Sequence, residues 1–312
     1  MGKKRKIIID CDPGHDDAVA IMMAARNPGL ELLGITTVRG NQSLDKVTNN
    51  ALNICQYLDI NVPVCKGLSN AIVRQSPPVE DRIHGDSGLD GPIFGLLTKQ
   101  VDQRHAVDFI IETVLKSDEP VTLVPTGPLS NIAMAIRKEP KILNNIEEIV
   151  LMGGSYQHGN VTPAAEFNIY ADAEAAYVVF TCGRPVVMMG LDITRQVLCY
   201  PEIVGRMSGI GTKAAKLFVE MMKFYCMTQK RIFGWEGGPL HDPTTIAYLI
   251  DPSCIETRAM HTEIDISGGP SHGRTNCDIF NLTGKEKNAK VAVKINVERF
   301  WDIVEESLKL YD

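Results

Sequence analysis

The sequence predicts an α/β protein: an open, mostly parallel central sheet with helices on both faces and mixed strands near the C-terminus. Two observations carry that expectation. Short apolar runs of strand length alternate with stretches of helical periodicity, the pattern of parallel strands joined by helical crossovers. Polar turns rich in chemistry recur at the ends of those runs, where open α/β sheets bind their ligands. The chain, residues 1–312, reads as one domain, with no internal repeat, low-complexity tract or linker.

Ile7-Ile8-Ile9 opens the first strand, which runs to Asp10. The turn Asp10-Cys11-Asp12-Pro13-Gly14-His15-Asp16-Asp17 follows, and a helix runs from Ala18 to Arg26, stopping near Pro28-Gly29. One or two aspartates at such a turn are ordinary helix caps. Asp10, Asp12, Asp16 and Asp17 together exceed that need. Like charges this close are costly unless a cation lies among them, and oxygen donors suit Ca²⁺ or Mg²⁺.

Glu31–Val38 is a β-rich run closed by Gly40-Asn41. Leu44–Leu58 is an amphipathic helix, with Val47, Ala51, Ile54 and Leu58 on one face. Val62–Cys65 is a third strand. Gly67 to Arg104 is long, polar and rich in Gly and Pro, including Pro77-Pro78. Such a stretch inside a compact domain reads as a lid or rim. It contains His84, either a surface histidine or a pocket group that titrates near neutrality.

Alternation then resumes. Ala106–Lys116 is a helix and Val121–Pro125 a strand. Thr126-Gly127-Pro128-Leu129-Ser130-Asn131 leads into a helix to Arg137, with Pro128 suited to a first turn. Glu148–Met152 is a strand ending in Gly153-Gly154. Glu166 and Asn168 are two residues apart, so on an extended segment they point the same way. A carboxylate beside an amide suits hydroxyl recognition, and an ordinary polar loop is the alternative. Asp172–Thr181 is a helix and Pro185–Gly190 a strand.

Beyond Tyr200 the chain reads as helices at Pro201–Met207 and Lys213–Lys230. Phe218, Met221, Met222, Tyr225 and Cys226 of the second read as core. His241-Asp242-Pro243 opens a helix to Ile250, with Asp242 either its cap or one more metal ligand. Strands at Glu256–Ile266, Thr275–Phe280 and Ala289–Val297 and a helix at Arg299–Leu310 complete the chain.

The net charge of −6 provides no broad basic footprint, which argues against nucleic acid or an anionic membrane as partner. The eight cysteines form no C-x-x-C pair and read as thiols of a reducing compartment. The N-terminal Met1-Gly2-Lys3-Lys4-Arg5-Lys6 leads into too short an apolar run for a signal peptide or membrane span. Lys6 occupies the position where a myristoylation signal wants Ser or Thr. The expected location is the cytoplasm.

Asp10–Asp17 resembles the Asp-x-Asp-Pro-Gly-x-Asp-Asp signature of the nucleoside hydrolases, the inosine-uridine-preferring ribonucleoside hydrolase family. The resemblance continues in order through Gly40-Asn41, His84-Gly85 with Gly88-Leu89-Asp90-Gly91, Thr126–Asn131, Met152-Gly153-Gly154, Glu166-Phe167-Asn168 with Asp172–Ala176, and His241-Asp242-Pro243. The pattern looks closest to the bacterial pyrimidine-specific members. It implies a Rossmann-like fold and a Ca²⁺-dependent enzyme that hydrolyses ribonucleosides, uridine and cytidine preferred, to ribose and free base with inversion. It also implies a homo-oligomer, tetramer or dimer.

Residue by residue, the resemblance implies that Asp12, Asp17, Asp242 and the backbone carbonyl of Thr126 ligate one Ca²⁺, with Asp10 behind them. Asp12 also serves as base for the attacking water. Asp16, Asn41 and Asn168 hold the ribose 2′- and 3′-hydroxyls, and Asn160 and Glu166 the 5′-hydroxyl. His241 helps the base leave, His84 lines the base pocket, and Gln229 and Phe233 occupy the helix that reaches the base. Phe233 stands where some pyrimidine enzymes carry Tyr. Competing readings are a broad inosine-uridine hydrolase, a Mg²⁺-dependent phosphohydrolase, and a nucleoside-binding protein without turnover. The phosphohydrolase wants a basic cradle, and Arg39, Arg82 and Arg195 are scattered along the sequence.

Overall fold

The computed structural model describes residues 3–79 and 81–312; Met1, Gly2 and Glu80, and with them the reading of Met1-Gly2, lie outside the described residues. The strands are β1 (Arg5–Cys11), β2 (Leu30–Thr37), β3 (Val64–Lys66), β4 (Val121–Pro125), β5 (Ile146–Met152), β6 (Val186–Met189), β7 (Leu198–Cys199), β8 (Gly238–Pro239), β9 (Ile255–Met260), β10 (Thr262–Ile264), β11 (Thr275–Cys277) and β12 (Ala289–Ile295). The helices are α1 (His15–Arg26), α2 (Leu44–Tyr57), α3 (Asp81–His84), α4 (Ala106–Lys116), α5 (Ser130–Lys138), α6 (Phe167–Ala171), α7 (Ala173–Phe180), α8 (Leu191–Thr194), α9 (Pro201–Ser208), α10 (Lys213–Phe233), α11 (Pro243–Ile250) and α12 (Val297–Leu308).

Eight strands form the central sheet in the order β3-β2-β1-β4-β5-β6-β12-β9. All neighbours are parallel except β12 and β9. The order reverses at β1, so β2 and β4 leave a crevice at its carboxyl end, the place where open sheets bind ligands. The turn Asp12–Asp17 lies there.

The isoleucines of β1 alternate between two cores. Ile7 and Ile9 join Phe218, Ile246 and Phe300, whereas Ile8 joins Phe109, Ile132 and Val179. Helices α10, α11 and α12 therefore cover one face of the sheet and α4, α5 and α7 the other. Each fully buried isoleucine contributes about 1.5–3 kcal/mol, and a one-residue slip would exchange the two faces. This burial holds the register that aims Asp10 and Asp12.

Several boundaries differ from the sequence reading, each for a local reason. Helix α1 starts at His15, not Ala18, because the Asp17 carboxylate accepts from Gly14 N at 3.0 Å and closes the first turn around the acidic pair. Helix α10 continues to Phe233 and ends where Gly234 adopts φ 71°. The stretch Glu256–Ile266 is two strands. β9 stays in the main sheet, and β10 leaves it at His261 to pair antiparallel with β11. Strand β11 stops at Cys277 because the Asp278 carboxylate turns to the Leu282 and Thr283 amides. The 3-10 segment Pro140–Asn145 and the small β7–β8 pair carried no clear periodicity and were invisible in the sequence. All eight cysteines are free thiols, and no described helix is long and apolar enough to cross a membrane.

Candidate active site

The β1–α1 turn supplies the acidic centre. Asp10 is fully buried at the end of β1, and its Oδ1 accepts from Thr36 Oγ1 at 2.6 Å and Asn131 Nδ2 at 2.8 Å. Its Oδ2 has no hydrogen-bond partner among the described residues. Asp12 Oδ2 accepts from Asn41 N at 2.6 Å. A Cβ at Gly40 would meet that oxygen at 2.0 Å, so the Gly40-Asn41 turn can reach Asp12 only with glycine there. Asp17 Oδ1 accepts from Thr126 Oγ1 at 2.8 Å, tying α1 to the end of β4.

Asp242, 225 residues further on (242 − 17), arrives at the start of α11. Carboxylate oxygens of Asp16, Asp17 and Asp242 lie within 4.8 Å of one another and are buried. Asp12 stands outside that closest group but presses on Asp242 electrostatically, as do Asp16 and Asp17. Burial pushes Asp10 and Asp17 up to about 7, Asp16 likewise keeps its carboxyl above the usual range, and Asp12 and Asp242 are held well above it. Neighbouring carboxylates add to the push on Asp12, Asp17 and Asp242. So many buried acids in mutual repulsion fit a divalent cation held by oxygen, with Asp12, Asp16, Asp17, Asp242 and a backbone carbonyl as available donors.

The Thr126 carbonyl accepts from Asn168 Nδ2 at 2.7 Å, which leaves its second lone pair available. Asn168 Nδ2 also approaches the Met152 carbonyl at 3.1 Å. Here the extended reading of Glu166 and Asn168 is corrected. Glu166 is the N-cap of α6, and its carboxylate accepts from Asn168 N, Ile169 N and Gly154 N. Asn168 sits in the first helical turn. The capping carboxylate still reaches the cavity wall, because burial places it at the end of β5 beside Gly154. Burial raises Glu166 to about 7 despite those three amides. Asn160 lines the same wall, its Oδ1 accepting from Phe167 N at 2.9 Å.

These walls enclose a cavity of about 650 Å³, lined by Asp16, Asn41, His84, Thr126, Asn160, Glu166, Asn168, Gln229, Phe233, His241 and Asp242. The volume is in the range for small-molecule sites. At one end Gln229 is buried, and its Oε1 has no hydrogen-bond partner among the described residues. Phe233 is half-exposed and stacks on Trp235 at 5.0 Å.

His84, ambiguous in the sequence, is buried and lines this cavity. Its Nδ1 lies 2.9 Å from Nδ1 of His15, whose Nε2 lies 2.8 Å from the Asp90 carbonyl. Burial pulls His15 down to about 4 and His84 well below its ordinary value, so both rings are neutral near pH 7. The Asp90 carbonyl can only accept, so His15 carries its proton on Nε2. His84 therefore donates from Nδ1, and its Nε2 is an acceptor. The His15 backbone N–H approaches the same Nδ1 at 3.4 Å, a longer and weaker claim on that atom. A Cβ on Gly14 would meet the His84 ring at 2.7 Å, so glycine admits this packing.

His241 contacts Thr194 Oγ1 through Nδ1 at 2.7 Å. Burial, with Arg195 adding, pulls it to about 3. Sequence reasoning passed over His15, Asp90, Thr194 and Trp235, and read Tyr225 as core alone. Tyr225 is buried, yet it also lines the cavity and donates to the Pro239 carbonyl at 2.9 Å. Only the Asp90 and His15 positions inside quoted motifs gave any signal. Arg195 donates to the Gly159 carbonyl at 2.9 Å and Arg39 to the Pro77 carbonyl at 2.7 Å, so these two cations hold loops.

A family model described as inosine-uridine preferring nucleoside hydrolase matches residues 7–302. A pyrimidine-specific ribonucleoside hydrolase, RihB of Escherichia coli, is 56% identical over 309 residues, 99% of this chain and 98% of its own. A solved purine-preferring ribonucleoside hydrolase from Gardnerella vaginalis is 37% identical with a TM-score of 0.90, covering 98% of this chain and 99% of its own. A solved plant nucleoside hydrolase, PpNRh1, is 30% identical with a TM-score of 0.91 over 98% of this chain and 99% of its own.

Proposed function

Because the chain belongs to the inosine-uridine preferring nucleoside hydrolase family, it is a hydrolase acting on N-glycosyl bonds, and we propose that it is Ca²⁺-dependent and prefers uridine and cytidine. The observation that carries the mechanism is the cavity itself. The residues proposed to touch substrate line it, together with Asp16 and Asp242 of the acidic cluster.

The roles follow from placement. Asp16, Asn41 and Asn168 bind the ribose 2′- and 3′-hydroxyls beside the cluster, and Asn160 and Glu166 bind the 5′-hydroxyl. These contacts hold the sugar and supply remote binding energy for its distortion. Asp12, Asp17, Asp242 and the Thr126 carbonyl would hold the Ca²⁺, which would supply positive charge to lower the pKa of a nearby water. Asp12 takes the proton of the attacking water, which approaches the face opposite the base, so the anomeric carbon inverts. Bond cleavage passes through an oxocarbenium-like sugar, as in glycoside hydrolysis. His241 hydrogen-bonds the departing base.

The pyrimidine preference rests on the relatedness to RihB and on the base end of the cavity. His84 Nε2 and Gln229 Oε1 are two acceptors there without a partner among the described residues. They suit the N3–H of uracil or the 4-amino group of cytosine. The eight free thiols support a cytoplasmic setting. The exposed side chains of Ile93, Leu96, Phe280 and Leu282 support a homo-oligomer, to be checked by light scattering. We take residues 1–312 as one catalytic domain.

The test is incubation with uridine, cytidine, inosine and adenosine without phosphate, followed by chromatography of the products. The expected result is ribose and free base, fastest from uridine and cytidine, abolished by a strong chelator and restored by Ca²⁺. Faster release from inosine would overturn the preference, and phosphate release from nucleotides with nucleosides intact would overturn the reaction.

A further inference from the structure

Thr194 closes α8, the short helix after β6, and is fully buried. Its Oγ1 lies 2.7 Å from His241 Nδ1 and has no other hydrogen-bond partner among the described residues. His241 lines the cavity, and its Nε2 likewise has no partner among the described residues.

A hydroxyl has one proton to give, and a neutral imidazole has one N–H. Two arrangements satisfy the contact. If His241 donated from Nδ1, the Thr194 hydroxyl proton would be buried with no acceptor. If Thr194 donates, only lone pairs on its oxygen go unused. A buried donor left without an acceptor costs about 1–3 kcal/mol, and unused lone pairs are tolerated more readily. The second arrangement wins.

We infer that Thr194 is a positioning residue that fixes His241 as the Nε2–H tautomer, making it a hydrogen-bond donor toward the departing base. The inference rests on the proposed nucleoside hydrolysis. When the C1′–N bond breaks, its electron pair passes to the base, and the His241 Nε2–H stabilises that charge. Water supplies the hydroxyl to C1′, and its proton balances the base. The opposite tautomer would present a lone pair to the same charge and repel it. Substrates whose leaving group is already a stable anion need no such donor.

Thr194→Val keeps the shape and removes the hydroxyl, whereas Thr194→Ser keeps the hydroxyl. Uridine and 4-nitrophenyl β-ribofuranoside separate chemistry from structure. The expected result for Thr194→Val is a fall in kcat on uridine of about 10²-fold, the low end for a positioned proton donor. Its KM should change little, its turnover of the nitrophenyl riboside should stay near wild type, and Thr194→Ser should recover most uridine turnover. Equal losses on both substrates, or unchanged uridine turnover in Thr194→Val, would overturn the assignment. Nitrogen-15 NMR of histidine-labelled protein reads the tautomer without any activity. His241 should be Nε2–H in wild type and Thr194→Ser, with its Nδ1 resonance displaced by the hydrogen bond it accepts from the hydroxyl, and Thr194→Val should lose that displacement. An Nδ1–H signal in wild type sinks the inference. An Nε2–H signal in a protein that hydrolyses no nucleoside sinks the proposed function alone.

Discussion

His15 Nδ1 lies 2.9 Å from His84 Nδ1, so one buried proton is shared between two rings and its position is set from the far side by the Asp90 carbonyl. His15 also lies in a stack with Phe224 and Tyr225, at 5.6 and 5.3 Å between centroids. Replacing His15 by Phe keeps the stack and removes the acceptor for His84 Nδ1. Without that partner His84 moves its proton to Nε2, and the base loses an acceptor worth about 1–3 kcal/mol, roughly 5- to 150-fold in KM for uridine. Steady-state kinetics checks this, and an unchanged KM would show that His84 needs no partner.

Asp12→Ala should remove nearly all turnover while circular dichroism and the melting profile stay close to wild type. The expected loss in kcat is at least about 10²–10⁴-fold, the range for a positioned proton acceptor. Near-normal turnover would remove Asp12 from the role of base.

His241 is neutral across the working range because burial pulls it to about 3. Its lowered value means the neutral form persists as pH rises through the ordinary histidine range near 6.5. The kcat profile for uridine should therefore show no loss of activity centred there on the way up. A descending limb near 6.5 that disappears in His241→Ala would show that the imidazolium, not the neutral ring, acts on the base.

Chelation should make stability fall as pH rises. Asp10 and Asp17 have folded values near 7, above the ordinary value of 3.8, so the fold favours their protonated forms. That contribution is complete below the ordinary value and is lost as pH rises through about 7. Calorimetry of chelated protein should give a Tm that drops between about pH 4 and 7, and Ca²⁺ should raise Tm most at the upper end. A flat Tm in chelator, or no effect of Ca²⁺, would count against a cation among these carboxylates.

Glu166→Gln should raise KM for uridine but not for 5′-deoxyuridine, which lacks the partner hydroxyl. Above about pH 8, where a carboxyl with a value near 7 is ionised, the expected change is about 1.5–3 kcal/mol for a hydrogen bond to a charged group. Equal effects on both substrates would mean that Glu166 serves only as the α6 cap seen in its bonds to Asn168 N and Ile169 N.

By itself the sequence determined the alternation of strands and helices and the presence of a carboxylate-rich turn after the first strand. Apolar period and side-chain charge are local properties, legible wherever Ile7-Ile8-Ile9 runs into Asp10–Asp17. Glu166 and Asn168 were legible as a pair but not as a helix cap and first turn, because three amides contributed by Gly154 and α6 decide that geometry. His84 stayed ambiguous for the same reason: His15 and Asp90, and the Gly14 surface it packs on, fix its burial and its proton. Only the tertiary structure brought Asp242 within 4.8 Å of Asp16 and Asp17. Strand order places α11 beside the crevice at β1, and repulsion between buried charges acts through space rather than along the chain.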